Sequence, residues 1–546
     1  MRLDYHARAD AFSVRLPRSE GTKIHELMAD HGLDFSMPDS TAETAVLFTH
    51  EPFAACAFAD DATPRALQQL APLLERIAAS WAPESGAHIA VPSDQALHPF
   101  QKASVEYALK TGRALIADQP GLGKTCSAIA FANETRAKRV LVICPASIRH
   151  QWAFKIGQWT TMRPRLGQIA VHVHKIMHGK SGVAPEAPWT ICSYDLARAP
   201  AILDQLHDLK PDLVIVDEAH YLKNNDTKRT QALFGKGGIA ENAVGLLALT
   251  GTPLPNRPRE CYTLARAIDF ASIDWMSEDR FNRRFNPSRA FSVENPATGE
   301  VSIHVDERTG RTSELQARLR ANLMVRHLKR EVMTSLQTPV YDLIHLDADS
   351  PAIRAALDAE SLLDIDPENL EGADAEILGH IAVMRRLMGE AMAPMVADYV
   401  ATLLDGGEEK IVLFAWHHST MDILQAKLAR YGVVRIDGKT SSNDKERRKE
   451  AFIKDPRIRV CLGNLQSMGV GTDGLQLVCS HAVIAEPAWT PGDNIQAFDR
   501  LDRDGQTCQV LGDICVVVGS IAERILASAL RKLQVIHKAL DRKQIV

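Results

Sequence analysis

A chain of 546 residues, 45% apolar and 24% charged, has the make-up of an ordinary globular protein but is too long for one hydrophobic core, so three or four units are predicted. It has no run of 18 apolar residues and no basic-then-apolar leader, so neither a membrane span nor a signal peptide is expected. The net charge of −5 does not advertise nucleic acid, and the nine cysteines contain no Cys-x-x-Cys pair, which argues for a reducing compartment and against a zinc module or disulfide framework.

Residues 1–92 read as a small α+β accessory domain. Val14 and Leu16 sit in an alternating stretch, 24–28 in a helical one and 45–48 in a strand, before a helix from Pro64 to about Trp81. Pro83, Ser85, Gly86 and Pro92 then form a linker. A packing domain and a DNA-recognition domain both fit this unit. His98-Pro99-Phe100-Gln101 opens the next helix, and a glutamine there can pair with both the N6 donor and the N7 acceptor of adenine.

The apolar run Ala114-Leu115-Ile116-Ala117 leads into Asp118-Gln119-Pro120-Gly121-Leu122-Gly123-Lys124-Thr125 and then a small-residue helical pattern. Strand, Gly-rich turn and helix are what a phosphate-binding loop requires. Gly121 and Gly123 let backbone N–H groups curl around phosphate. The helix start adds partial positive charge. Lys124 reaches the β- and γ-phosphates, and the Thr125 hydroxyl suits Mg²⁺. The loop is the abbreviated Gly-x-Gly-Lys-Thr form, with Asp118 where the longer pattern has glycine.

Apolar strands at 140–144, 189–192 and 213–216 alternate with helical stretches, which implies a parallel sheet with functional loops at the strands' carboxyl ends. From 135 to 157 there are five basic residues and no acid. The strand-end residues Ser147, Arg149, Ser193 and Tyr194 are accordingly candidate nucleic-acid contacts. Leu213-Val214-Ile215-Val216 runs directly into Asp217-Glu218-Ala219-His220. Asp217 is placed to hold Mg²⁺, and Glu218 to orient and deprotonate the attacking water. Thr250-Gly251-Thr252-Pro253 ends a further strand; Thr250 and Thr252, with His220, are candidates to relay loss of the γ-phosphate.

Gln101, the Gly-Leu-Gly-Lys-Thr loop, Asp-Glu-Ala-His and Thr-Gly-Thr-Pro, in this order, resemble the first lobe of a superfamily-two nucleic-acid motor. Tyr221-Leu222-Lys223-Asn224 is similar to the continuation found in Swi/Snf-type double-stranded-DNA translocases, and within them the look is that of the annealing-helicase, HARP-type branch. Residues 319–332 resemble that family's arginine-rich link between lobes. The residues themselves predict an amphipathic helix with six basic residues between Arg311 and Arg330 against Glu314; DNA-phosphate binding and inter-lobe bracing are both open to it. The acidic stretch 342–376 reads as a solvated helical protrusion.

A second α/β pattern starts near Ile411. The loop with Gly471 and Asp473 is a candidate nucleotide contact, Gln496 a coupling residue, and Arg500 and Arg503, one helical turn apart, are expected on one helix face. The resemblance implies that these two arginines act as fingers on the nucleotide. Three departures stand out: Asp502-Arg503 for the usual His-Arg, Gln119-Pro120 for Glu-Met, and 466–473 for the usual fifth motif. His172, His174 and His178 have metal-like spacing, but their alternation with valines reads as a half-exposed strand.

The expected fold class is α/β. It comprises two RecA-like lobes (parallel sheets flanked by helices) with helical insertions and a small N-terminal α+β domain. The expected boundaries are 1–92, 93–270, 271–395 and 396–546. The expected activity is a DNA-stimulated ATPase that translocates on duplex DNA, with ATP and Mg²⁺ as cofactors. Double-stranded or branched DNA is the expected partner, with no membrane and a monomeric chain. A strand-separating DNA or RNA helicase and a nucleotide-switched DNA-binding module are the alternatives. A cytoplasmic setting, in a bacterial or phage-host nucleoid, is expected from the lack of long basic tails.

Overall fold

The computed structural model describes the chain apart from residues 32, 36–39, 42, 163–171, 255–256, 295–300, 308–309, 348–349, 362–374, 469–472, 489, 525, 528, 531–539 and 541–546. Two compact units result, one of Met1–Gln119, Gly123–Leu328 and Gln534–Val546, the other of Pro120–Leu122 and Lys329–Leu533.

The first unit begins with a four-stranded antiparallel sheet of β1 (Arg2–His6), β2 (Ala11–Pro17), β3 (Asp34–Phe35) and β4 (Thr44–Thr49), in the order β1-β2-β4-β3. Alternation along β2 puts Phe12, Val14 and Leu16 into a core shared with Leu3, Leu47, Ala66 and Leu70. The helix Pro64–Ser80 covers it, capped by the Thr63 hydroxyl, which accepts from Ala66 N.

The main sheet of this unit has seven strands. They are β5 (Arg113–Ile116), β6 (Val140–Cys144), β7 (Val173–Lys175), β8 (Trp189–Ser193), β9 (Leu213–Asp217), β10 (Gly245–Leu249) and, after a hairpin of β11 (Ser288–Glu294) and β12 (Val301–Glu307), β13 (Met324–Val325). The order is β13-β5-β10-β9-β6-β8-β7 and every pairing is parallel. Strands β6, β8 and β9 are buried along their whole length, as continuous apolar runs in a sheet covered on both faces demand.

The second unit holds six parallel strands, β14 (Val340–Leu346), β15 (Ile411–Ala415), β16 (Val433–Ile436), β17 (Val460–Asn464), β18 (His481–Ile484) and β19 (Leu511–Val517), ordered β14-β19-β18-β15-β17-β16. Two parallel α/β units of this kind are the two RecA-like lobes. The helix Ala375–Asp405 packs Met388, Met392, Val396, Val400 and Leu404 into the second core. Its segment Gly379–Asp405 is long and apolar enough to cross a membrane by length and composition alone, with an 18-residue stretch of mean hydropathy 1.2, of which 44% is buried inside the protein.

Two expectations about elements are corrected. The acidic stretch does not begin as a helix: Val340-Tyr341-Asp342-Leu343-Ile344-His345-Leu346 is β14, paired along its length with β19. The helix Pro351–Ser361 follows, and the acids at 364–368 lie outside the described residues. The arginine-rich link is not one amphipathic helix either. A helix spans Thr312–Asn322, and the chain then enters the sheet as β13, because Met324 and Val325 pair with Leu115 and Ile116.

Candidate nucleotide site

Gly121 and Gly123 both take positive φ, +88° and +75°, a region that glycine enters without steric cost. Gly123 caps the helix Lys124–Thr135, and a Cβ on it would lie 2.4 Å from Gln101 Nε2. Gln101 is itself buried. Its Oε1 accepts from His98 N at 2.9 Å, which closes the first turn of the helix Pro99–Thr111. Lys124 Nζ donates to the carbonyls of Asp118 (2.7 Å) and Gln119 (3.3 Å), so the ammonium is held over the loop it serves.

At the end of β9 the Asp217 carboxylate accepts from Trp152 Nε1 at 2.7 Å and from Glu218 N at 2.9 Å. Burial, with the Glu218 charge beside it, pushes the Asp217 carboxyl up to about 7. Glu218 stands in the left-handed region (φ 53°, ψ 51°). Such strain in a bulky residue persists only where its surroundings enforce it, and it gathers at functional sites. The Tyr194 hydroxyl supplies part of that enforcement by donating to Asp217 O at 2.6 Å and lying 3.2 Å from Glu218 O.

His220 joins two motifs. Its Nδ1 lies 3.3 Å from Glu218 Oε2, 3.0 Å from Thr250 Oγ1 and 3.5 Å from Thr252 Oγ1, while Thr252 N donates to Thr250 Oγ1 at 3.1 Å. One ring nitrogen cannot donate to a carboxylate and accept from a hydroxyl at once. The His220 tautomer therefore follows whichever neighbour prevails.

Three of the four residues expected to touch nucleic acid are inside. Arg149 is 9% exposed and spends its guanidinium on the carbonyls of Ala146, Ile176 and Met177. Ser193 and Tyr194 are buried. Their expected surface role is corrected to bracing: Ser193 ends β8, a strand buried along its whole length, and just past it the Tyr194 hydroxyl faces the Asp217 and Glu218 carbonyls; Ser147 remains exposed. A Tyr194→Phe variant should lose about 1 kcal/mol of stability, the net worth of a typical hydrogen bond. Urea unfolding measures this, and an unchanged midpoint would contradict the bracing.

In the second unit Arg500 and Arg503 do not share a helix face, because the helix Pro491–Phe498 ends before them. Lys329 holds the turn that follows, paired with the carboxylates of Asp499 and Asp502, the latter at 2.8 Å. Asp502, the departure from His-Arg, thus has a cationic partner that the sequence pattern did not reveal. Arg503 Nε donates to Asp499 O at 2.9 Å and its Nη1 pairs with Asp473. Arg500 and Gln496 are buried, and Gly471 lies outside the described residues.

Gly123, Lys124, Thr125 and Asp217 fit a nucleotide with Mg²⁺. The loop glycines leave backbone N–H groups uncovered by any Cβ, and the Thr125 hydroxyl and Asp217 carboxylate are the hard oxygen donors that Mg²⁺ takes. A parallel sheet with a Gly-rich loop, an Asp-Glu pair and a hydroxyl loop at its strand ends, followed by a second parallel sheet, defines a helicase-type ATPase core.

Family models match a SNF2-related domain over residues 100–355 and a Helicase conserved C-terminal domain over residues 395–505. The chain belongs to the SNF2 family. It is 30% identical over 457 residues to the human DNA annealing helicase and endonuclease ZRANB3, covering 82% of this chain and 40% of that protein. Over 453 residues it is 29% identical to the Xenopus laevis SWI/SNF-related matrix-associated actin-dependent regulator of chromatin subfamily A-like protein 1, covering 81% and 44%. The Sulfolobus solfataricus SWI2/SNF2 ATPase core in complex with dsDNA aligns over 82% of this chain and 97% of that one at 18% identity, with a TM-score of 0.37. The chain spans less than half the length of these two curated relatives. The expectation of a bacterial or phage-host setting is corrected, since relatives that the chain matches at about 30% identity include human, frog, worm and fly proteins. Short tails on a motor core carry no compartment information, which is why that inference failed.

Proposed function

We propose that this chain is a DNA-stimulated ATPase that translocates on double-stranded DNA, remodelling branched DNA or displacing bound proteins. The observation that carries this reading is the juxtaposition at neighbouring strand ends of Lys124, Asp217, Glu218, His220 and Thr250, within a chain of the SNF2 family. Lys124 exchanges its two carbonyl partners for the β- and γ-phosphates. Thr125 and Asp217 would hold Mg²⁺, which when bound would supply charge neutralisation. Glu218 orients the water and takes its proton. His220 passes the resulting change of charge to Thr250 and Thr252, and Gln496 belongs to the coupling machinery of the other unit. Arg500 and Arg503 are the cations proposed to offset charge in the transition state, and Arg503 must first leave Asp473.

ATPase rates with duplex, forked and single-stranded DNA and with RNA, measured in parallel, test the reading. Duplex or forked DNA should stimulate most and a triplex-forming strand should be displaced; stimulation by RNA alone, or unwinding without triplex displacement, would overturn it. Binding through phosphates carries no base information, so duplexes of different sequence should bind alike. Affinity should fall with salt at a log–log slope of about −0.9 per phosphate neutralised. A filter-binding titration across salt concentrations reads that slope, and a flat line would exclude a phosphate-borne interface.

A further inference from the structure

The residue just ahead of the phosphate loop is bound to a histidine more than two hundred positions away. Asp118 has no exposed surface. Its Oδ1 accepts from His327 N (2.9 Å) and faces His327 Nδ1 (2.8 Å), and its Oδ2 accepts from Ser104 Oγ (2.9 Å). The same residue's carbonyl accepts Lys124 Nζ. The other ring nitrogen of His327 faces Ala82 O at 2.8 Å. A carbonyl only accepts, and so does a carboxylate, so both ring nitrogens carry protons and the ring is an imidazolium. Burial pulls the His327 ring down, but the Asp118 charge and hydrogen bond raise it overall. Burial likewise pushes Asp118 up, and His327, Lys124 and Ser104 bring it down overall. The Arg320 charge opposes the proton.

The backbone repeats the connection. Ala117 N donates to Val325 O (2.8 Å) and Gln119 N to His327 O (3.1 Å). Arg326 Nη1 donates to Ala117 O at 2.8 Å and to Gly251 O, in the Thr-Gly-Thr-Pro loop, at 3.1 Å. The segment 325–327 therefore clamps the entry of the phosphate loop to the hydroxyl loop on one side and, through Ala82, to the end of the N-terminal domain on the other.

We infer that His327 is a positioning residue for the nucleotide, a buried cation that sets the Asp118–Lys124 geometry and ties the N-terminal domain to the phosphate loop. The inference rests on the ATP-binding part of the proposed function and not on the DNA substrate. An uncharged ring would leave the Asp118 carboxylate buried without its cation, an unfavourable situation that the loop would relieve by moving. The carbonyl that holds Lys124 would move with it.

The test uses the full chain and its His327→Gln, Asp118→Asn and double variants, with ATP turnover and binding of a fluorescent ATP analogue as readouts. Each single variant should raise KM for ATP and weaken analogue binding about tenfold, a loss of about 1.4 kcal/mol, with kcat within about twofold. The double variant should be no worse than the singles, because both act on one contact. Hydrogen exchange across residues 80–84 should slow when the analogue binds the parent and not when it binds His327→Gln. A lowered melting temperature with KM and analogue affinity unchanged would reduce His327 to a structural residue and overturn the inference. The tenfold effect in a parent that DNA fails to stimulate would uphold it while removing the DNA reading. A parent that binds no analogue would overturn both.

Discussion

Glu218→Gln should lower steady-state ATP turnover by about 10²- to 10⁴-fold, the range that a positioned general base supplies, while the fluorescent analogue still binds. The amide keeps the shape and the left-handed backbone, which the Tyr194 hydroxyl braces from below. It cannot take a proton from water. It also changes what His220 Nδ1 faces at 3.3 Å, from an anion to a neutral amide, so the relay to Thr250 should fall silent along with the chemistry. Single-turnover kinetics separate the two effects: a loss confined to the cleavage step assigns Glu218 as the base. An unchanged turnover would remove that assignment and favour a nucleotide-switched module.

The other large effect is on stability. Glu314 is fully buried, held by Arg284 Nε and Nη2 and by Arg318 Nε at 2.8–2.9 Å. Arg318, 1% exposed, also binds Glu51 Oε2 at 2.6 Å and Asp274 Oδ2 at 2.8 Å, and its guanidinium lies 4.5 Å from the Phe53 ring centroid. Removing one partner of a buried ion pair typically costs about 3–5 kcal/mol, because the remaining charge stays inside. Arg318→Ala should therefore lower the urea midpoint of the first unit by an amount of that order. Burial already raises the Glu51 carboxyl, and Arg318 opposes that rise. Without Arg318 it should climb further, so the variant should lose more stability as pH rises and a proton leaves Glu51. A midpoint shift equivalent to less than about 1 kcal/mol would mean that the network is solvated like a surface pair.

The phosphate loop, Asp217-Glu218-Ala219-His220 and Thr250-Gly251-Thr252 were legible because each is a local pattern, an apolar strand running straight into a turn with chemistry on it. What lay hidden depends on distance along the chain. Arg318, Arg320 and Arg326 lie in a basic stretch open to phosphate binding or to bracing; all are buried, and Arg318 finds Glu51 267 residues away. Arg149 and Tyr194 carry side chains that suit nucleic acid, but both are buried and turned inward to carbonyls, Arg149 from the start of the helix Arg149–Trp159 and Tyr194 from the turn just past β8. The turn carrying Arg500 and Arg503 is shaped by Lys329, 170 residues from Asp499. The backbone strain at Glu218 has no compositional trace at all.

Strand β13 settles beside β5 only after the intervening chain exists, since Arg326 and Ala117 are 209 residues apart. On the ribosome the first sheet must wait with that edge open until residue 327 has emerged, and pairing of such long range is slow and exposed to wrong partners. A nascent chain stopped before that point should make the loop without its clamp. Competence to hold ATP is thus expected late in synthesis, once most of the first unit has left the exit tunnel.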